Sequence, residues 1–135
     1  MKDKYLLAFM DMAERFALTS EAQRLKVAAM VIKNGSILTC AINGTPSGWY
    51  TNVCEDEQGK TAYFTLHAEE QALNRMLHLH ETTIGATMLV THACCPSCSI
   101  RVKAAGITQV YYRHTYRDLS GIEYLKQNGV LVKQI

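Results

Sequence analysis

The stretch ATMLVTHACCPSCSIRVKAAGITQVYY, residues 86–112, contains a complete strand, helix and strand. Residues 86–91 have the apolar and β-branched composition of a buried strand, and an apolar helix is predicted over residues 96–105. Gly106 is typical of a helix C-terminus, and residues 107–112 return as a second strand. Strands joined through a crossover helix run parallel in one sheet. The stretch therefore predicts an α/β fold.

The residues before this unit predict one helix and one hairpin. Helical spacing of apolar residues predicts a helix over residues 4–18. Its buried side is expected to carry Leu6, Leu7, Met10, Ala13 and Ala17. Two apolar runs, residues 27–32 and 37–42, flank Asn34-Gly35, the dipeptide most typical of a tight hairpin.

Two further helices and a last strand complete the prediction. Residues 67–80 predict a helix that buries Ala68, Ala72, Leu73, Met76 and Leu77. A helix over residues 119–127 and a strand over residues 130–133 end the chain. We expect a single domain, residues 1–135, with a mixed five-stranded sheet and helices on both faces. The turn-rich residues 44–60 are long for a compact domain and are expected to border a functional site.

Composition narrows the classes of function. The net charge is +2, and no run of lysine and arginine predicts binding to a nucleic-acid polymer. Asp11 and Glu14 interrupt the apolar N-terminal run too early for a signal peptide, and no membrane span is predicted. Of the 5 cysteines, three crowd into residues 94–98, which indicates metal or redox chemistry in a reducing cytoplasm.

Cys95 and Cys98 are the first two candidate metal ligands. Their i, i+3 spacing at a helix start lets both sulfurs face one side, and Pro96 suits the first helical turn. A helix N-terminus favours thiolate. Two thiolates and one neutral imidazole hold tetrahedral Zn²⁺ and leave one position for water, as in a catalytic site.

His67 is the predicted third ligand, although four other histidines are present. It opens the helix His67-Ala68-Glu69, so that Glu69 can enter the same pocket from the same turn. A hydrolytic zinc enzyme needs a carboxylate beside the metal-bound water to take its proton and pass it to the leaving group. Glu69 fits this role and is not predicted to be a ligand.

These motifs resemble a known family. His67-Ala68-Glu69 followed by Cys95-Pro96-Ser97-Cys98 is similar to the H-x-E…P-C-x-x-C pattern of zinc-dependent cytidine and deoxycytidylate deaminases. Asn43-Gly44-Thr45-Pro46-Ser47-Gly48 resembles the N-G-x-P-x-G loop of the small phage and bacterial deoxycytidylate (dCMP) deaminases, and residues 111–121 resemble their Y-x-D-x-x-G region. Two residues depart from the pattern: Cys94 replaces its proline, and Ala28 replaces a glycine in the first strand.

The resemblance implies a three-layer cytidine-deaminase-like fold with one catalytic zinc per chain, held by His67, Cys95 and Cys98. It implies hydrolysis of dCMP to dUMP and ammonia, with attack of the zinc-bound water on C4 and Glu69 as proton shuttle. The dUMP would supply thymidylate synthesis.

The resemblance also implies substrate contacts. Asn43 would contact the deoxyribose, the Ala68 N–H the pyrimidine carbonyl and the Ala93 carbonyl the substrate amine. Tyr116 would lie against the base or the sugar. For the 5′-phosphate we expect one of three basic residues, because phosphate is held by fixed positive donors. They are Arg24, Lys26 and Arg117.

Further properties follow only from the resemblance. It implies a homo-oligomer, usually a hexamer, with dCTP or dTTP as possible allosteric effectors, in the cytoplasm of a bacterium or of a phage-infected host cell. Some relatives carry a second, structural zinc on a loop cysteine, for which Cys54 is the candidate here.

Several alternatives stay open at this point. The substrate could be dCTP, a 5-substituted dCMP or cytidine, and a transfer-RNA adenosine deaminase is a more distant possibility that the charge and the Asn43-Gly44 loop disfavour. A Cys-x-x-Cys pair also suits a redox protein. A structural zinc would need His92 or Cys94 as a fourth ligand.

Overall fold

The hairpin near the N-terminus is built as predicted. The computed structural model describes residues 1–135. Strand β1 (Ala28–Lys33) pairs antiparallel with β2 (Ser36–Ile42). Asn34 and Gly35 both have positive φ, 51° and 76°. Two such residues give the tight turn whose twist matches that of the flanking strands, which confirms the Asn-Gly prediction.

Five strands form one mixed sheet in the order β2-β1-β3-β4-β5. The other elements are α1 (Asp3–Ala17), α2 (Ala68–Met76), β3 (Thr87–His92), α3 (Pro96–Ala104), β4 (Gln109–His114), α4 (Ser120–Gln127) and β5 (Leu131–Gln134). Strand β1 is antiparallel to β3, whereas β3, β4 and β5 are parallel. The predicted α/β sheet is therefore confirmed. None of the helices has the length and hydropathy to cross a membrane.

Strand β1 separates two apolar cores because it is buried on both faces. Alternate residues Ala28, Met30 and Ile32 face α1, whose buried residues include Leu6 and Met10. The side chains between them enter the larger core under the other helices, which contains Ala72 of α2, Val102 of α3 and Leu125 of α4. Helices therefore cover both faces of the sheet.

Two details of the helix predictions are wrong. Helix α2 ends at Met76 and not at His80, because Leu77 and the next residues bond back to carbonyls three positions earlier, which tightens and ends the last turn. Leu77 is 82% exposed and lies outside the core. In α1, Leu7 is 45% exposed, since the helix surface that meets the sheet is narrower than the apolar pattern.

The long segment between β2 and α2 is tied to itself. Gly44 and Leu66 pair as an isolated bridge at its two ends, and Glu55 pairs with Thr61 inside it. The rings of Trp49 and Phe64 pack with their centroids 5.5 Å apart. These contacts hold the segment beside the start of α2. Residues 44–60 were predicted to border a functional site, and this position allows them to do so.

Candidate active site

His67 is placed by the start of α2. It is the N-cap residue of that helix, with extended backbone angles of −71° and 157°. Its N–H donates to the Glu70 carboxylate at 3.1 Å, which satisfies a donor that the helix leaves free. The ring Nδ1 lies 3.2 Å from Cys98 Sγ and 3.5 Å from Cys95 Sγ. The helix start thus delivers the imidazole to the two sulfurs.

Cys95 and Cys98 are placed by the start of α3. Cys95 is the N-cap residue and Pro96 occupies the first turn, where its missing N–H costs no bond. The N–H of Cys98 points at Cys95 Sγ over 3.5 Å. Both thiols therefore sit on the N-terminal side of the helix, where the helix dipole stabilises negative charge.

The three side chains fit a zinc ion. Their ligand atoms lie within 4.8 Å of one another and form the one such group of three in the chain. Zinc bonds of about 2.0–2.1 Å to nitrogen and 2.3 Å to sulfur at tetrahedral angles put N and S roughly 3.5 Å apart. The observed separations of 3.2 and 3.5 Å match this value. Three protein donors leave one coordination position for another ligand.

Cys94 stands outside this group although it precedes Cys95 directly. Its side chain is 1% exposed and belongs to the apolar core. Burial raises the pKa of the Cys94 thiol well above its ordinary value, so that it stays protonated. His92 is not part of the group either. Neither candidate for a fourth protein ligand of a structural zinc is brought to the other three.

The charges of the cluster are arranged for metal binding. A hydrogen bond from the Cys98 thiol lowers the pKa of Cys95 to about 4, and His67 adds to this effect. The same hydrogen bond raises the pKa of Cys98, because that thiol holds the shared proton. The hydrogen bond to Cys95 raises the pKa of His67 to about 8. A cation that displaces these protons would find two sulfurs and one imidazole.

Glu69 is the second residue of α2, two positions after His67, and faces the same space. Its side chain is 5% exposed. Burial raises the pKa of the Glu69 carboxyl to about 7, where it can both accept and donate a proton near neutral pH. The carboxyl is not among the three grouped ligand atoms.

A cavity of about 340 Å³ opens over these residues, within the usual range for small-molecule sites. His67, Glu69 and Cys95 form part of its wall. Six of the seven residues predicted from the sequence to contact a substrate also line it: Arg24, Asn43, Ala68, Ala93, Tyr116 and Arg117. The fold therefore brings the catalytic and the substrate-binding candidates to one place.

Lys26 is the predicted substrate contact that the fold does not bring there. Its ammonium group donates to the backbone carbonyl of Ser20, and the residue is absent from the cavity wall. Arg24 does line the cavity, and one of its guanidinium nitrogens lies 3.4 Å from the Thr61 hydroxyl. Both residues are basic and lie two positions apart, so neither composition nor strand periodicity could separate them.

Asn43 shapes the wall as well as lining it. Its side-chain oxygen accepts from the Val27 N–H and the Ser20 hydroxyl, each at 2.9 Å. Its amide nitrogen donates to the Leu25 carbonyl at 2.7 Å. One of the two amide hydrogens therefore remains for a ligand in the cavity.

Seven residues of the wall were missed as individual contacts, and four of these are polar. Glu55, Thr61 and Thr65 come from the long loop, and His92 ends β3. The turn-rich residues 44–60 were predicted to border the site, and Glu55 confirms this. Thr61 and Thr65 lie beyond those bounds, and composition could not select any of the three residues. Glu55 is held by the Gln23 N–H, 3.2 Å from its carboxylate oxygens, a contact between distant segments that leaves no local signal.

Cys54 is buried in the same loop, and its thiol contacts the Asn52 carbonyl at 3.6 Å. No group of three potential ligands includes it.

Comparisons with known proteins agree with this geometry. The family model of the cytidine and deoxycytidylate deaminase zinc-binding region matches residues 3–114. A dCMP deaminase from the cyanophage S-TIM5, solved in complex with dCMP and dUMP, is 47% identical with a TM-score of 0.97, and the match covers 100% of this chain and 99% of that one.

Two curated relatives are deoxycytidylate deaminases. The one from Mycobacterium phage D29 is 32% identical over 77% of this chain and 90% of its own length. The one from Saccharomyces cerevisiae is 29% identical over 93% of this chain, which spans 43% of the yeast protein.

Proposed function

Because the chain belongs to the cytidine and deoxycytidylate deaminase family and is a zinc-dependent deaminase, we propose that it converts dCMP to dUMP and ammonia. The observation that carries this assignment is the grouping of His67, Cys95 and Cys98 at a cavity whose wall includes the buried Glu69. The substrate is inferred from the cyanophage enzyme, which is similar over the whole chain and was solved with dCMP and dUMP. Family membership decides against a redox role for the Cys-x-x-Cys pair.

We propose His67, Cys95 and Cys98 as the zinc ligands. A bound zinc ion acts as a Lewis acid that lowers the pKa of water at its open position. The three residues supply one nitrogen and two sulfurs from two helix N-termini, so that the ligands are fixed by secondary structure and not by a flexible loop.

Glu69 would move the protons. Its carboxylate would take one proton from the attacking water and deliver it to N3 of the cytosine ring. It would then take the second proton from the hydroxyl added at C4 and deliver it to the amine, which leaves as ammonia while the C4 carbonyl forms. Burial supports this role, because a carboxyl shielded from bulk water keeps its proton for the substrate.

Two backbone groups would orient the base. The Ala68 N–H lies at the first position of α2 and has no carbonyl within the helix to bond, so it is free to donate to the pyrimidine carbonyl oxygen. The Ala93 carbonyl follows β3 and accepts no hydrogen bond from the chain, so it is free to accept from the substrate amine.

The remaining contacts would select the sugar and the phosphate. The free amide hydrogen of Asn43 is available to the deoxyribose, and Tyr116 lines the wall where the base or the sugar would lie. Arg24 and Arg117 are the phosphate candidates, because both residues line the cavity and Lys26 does not.

We also propose that residues 1–135 act as one deaminase domain in a homo-oligomer, expected to be a hexamer, and that dCTP or dTTP regulates it. Exposed aromatic rings on the long loop support assembly, since Tyr50 and Tyr63 are 81% and 94% exposed. A bacterial or phage-infected host cytoplasm is the proposed location, and all five cysteines are free, as in that compartment.

A substrate panel tests the assignment. Zinc-loaded protein is incubated with dCMP, CMP, deoxycytidine, cytidine, dCTP and 5-methyl-dCMP, with and without added dCTP or dTTP as effectors, and ammonia release is followed. Glu69→Gln, which keeps the shape of the side chain, sets the background. We expect turnover of dCMP above all other compounds. Preferred turnover of a nucleoside or of a triphosphate would contradict the proposed substrate.

A further inference from the structure

Gly121, the second residue of α4, lies so close to the turn that carries Cys95 and Cys98 that a side chain would not fit there. A Cβ atom built on Gly121 would lie 2.5 Å from the Cys94 carbonyl oxygen, 2.6 Å from the Ser99 hydroxyl and 3.0 Å from the Cys95 carbonyl carbon. Six other glycines have nothing within 4 Å of such an atom, and Gly106 would meet only Ile84. The crowding at Gly121 is therefore particular to the turn that carries Cys95 and Cys98.

The glycine is not explained by its backbone. Gly121 is helical and is not among the residues with positive φ. Glycine is the poorest ordinary helix former after proline, so alanine would be favoured at this position if it fitted. The requirement for glycine therefore comes from the close approach of the two backbones.

Two of the three atoms that Gly121 meets, the Ser99 hydroxyl oxygen and the Cys95 carbonyl carbon, belong to groups whose hydrogen bonds shape the turn. The Cys95 carbonyl accepts from both the N–H and the hydroxyl of Ser99, at 2.9 and 3.0 Å. Ser99 is fully buried between α3 and α4. The Ser99 hydroxyl and the backbone of α4 therefore both contact the turn that carries Cys95 and Cys98.

We propose that Gly121 is a positioning residue for the zinc site: it lets α4 seat directly on the turn Cys94–Cys98 and so sets the separation of the two sulfurs from His67. The inference rests on the ligand set proposed above. A methyl group at Gly121 would have to move at least 0.5 Å from the Cys94 oxygen to reach the 3.0 Å that real Cβ atoms respect. Zinc–ligand distances tolerate only about 0.2 Å.

The test is zinc retention by the holoenzyme in competition with a chromogenic chelator. Gly121→Ala is compared with Glu123→Ala, which changes an exposed residue of the same helix. We expect Gly121→Ala to lower zinc affinity about 10- to 100-fold, the range found when groups that support metal ligands are changed. Glu123→Ala should retain zinc like the wild type.

Ser99→Ala keeps the proposal testable if Gly121→Ala fails to fold. It removes the hydroxyl bond to Cys95 without adding an atom, and it should also weaken zinc retention. The absorption spectrum of the cobalt-substituted proteins reports ligand geometry independently of activity, and we expect it to change in both variants. Zinc affinity and cobalt spectra equal to those of Glu123→Ala in both variants would overturn the proposal. Zinc retained by Cys98→Ala would instead overturn the ligand set.

Discussion

Replacing Glu69 by glutamine should change how the stability of the metal-free protein depends on pH. Burial raises the pKa of this carboxyl from 4.5 to about 7. An unfolded chain exposes the group and restores the lower pKa. Between these two values the folded protein therefore binds more protons at this residue than the unfolded protein, and stability falls as pH rises.

The size of the effect follows from the shift. At about 1.4 kcal/mol per pKa unit, the free energy of unfolding falls by roughly 3 kcal/mol in total. The loss is absent below pH 4.5 and complete above pH 7. The conversion is justified because the Glu69 side chain is 5% exposed. Glutamine has the same shape and does not ionise.

The measurement is urea unfolding of chelator-treated wild type and Glu69→Gln from pH 5 to pH 8. The other titrating groups are common to both proteins, so we take the difference between their free energies of unfolding at each pH. The variant should gain roughly 2 to 3 kcal/mol relative to the wild type across this range. If the difference in free energy of unfolding between the two proteins stays constant within about 0.5 kcal/mol from pH 5 to pH 8, the claim that burial raises the pKa of this carboxyl is refuted.

Three other predictions follow from contacts in the site. Asn43→Ala should lower the free energy of unfolding by about 1–3 kcal/mol in urea titrations, because it removes two hydrogen bonds to the backbone, at the Val27 N–H and the Leu25 carbonyl, each worth about 0.5–1.5 kcal/mol; an unchanged value would contradict this structural role. Arg24→Ala or Arg117→Ala should raise KM for dCMP roughly 10- to 100-fold with little change in kcat, whereas Lys26→Ala should not; a raised KM only in Lys26→Ala would contradict the assignment. Cys98→Ala should bind no zinc by metal analysis, and removal of zinc from the wild type should lower its Tm, because the ion stabilises only the folded state; full zinc content in Cys98→Ala would exclude this ligand.

The residues that carry the chemistry could be predicted from the sequence because each lies at a helix start. His67 and Cys95 were expected at such positions, and both are N-cap residues in the structure. A helix N-terminus is set by local sequence, since its capping residue and first turn are contiguous. The same holds for the Asn34-Gly35 turn, whose backbone conformation is local.

Features that depend on distant segments could not be predicted in this way. The Glu55 carboxylate reaches the wall through a bond to Gln23, and Lys26 turns away to the Ser20 carbonyl. Leu77 continues the apolar pattern of α2, yet no partner covers it. The close packing of Gly121 on the ligand turn is visible only once α4 is in place. The periodicity of apolar residues indicates only which side of a helix or strand could be buried, whereas the positions of these residues depend on tertiary contacts.

The most direct test of the account measures zinc content and dCMP turnover together in purified wild type and Glu69→Ala. The account predicts one zinc per chain in both proteins, with turnover in the wild type and none above background in the variant, because Glu69 moves protons and does not hold the metal. Turnover retained by Glu69→Ala with zinc bound would contradict the proposed mechanism.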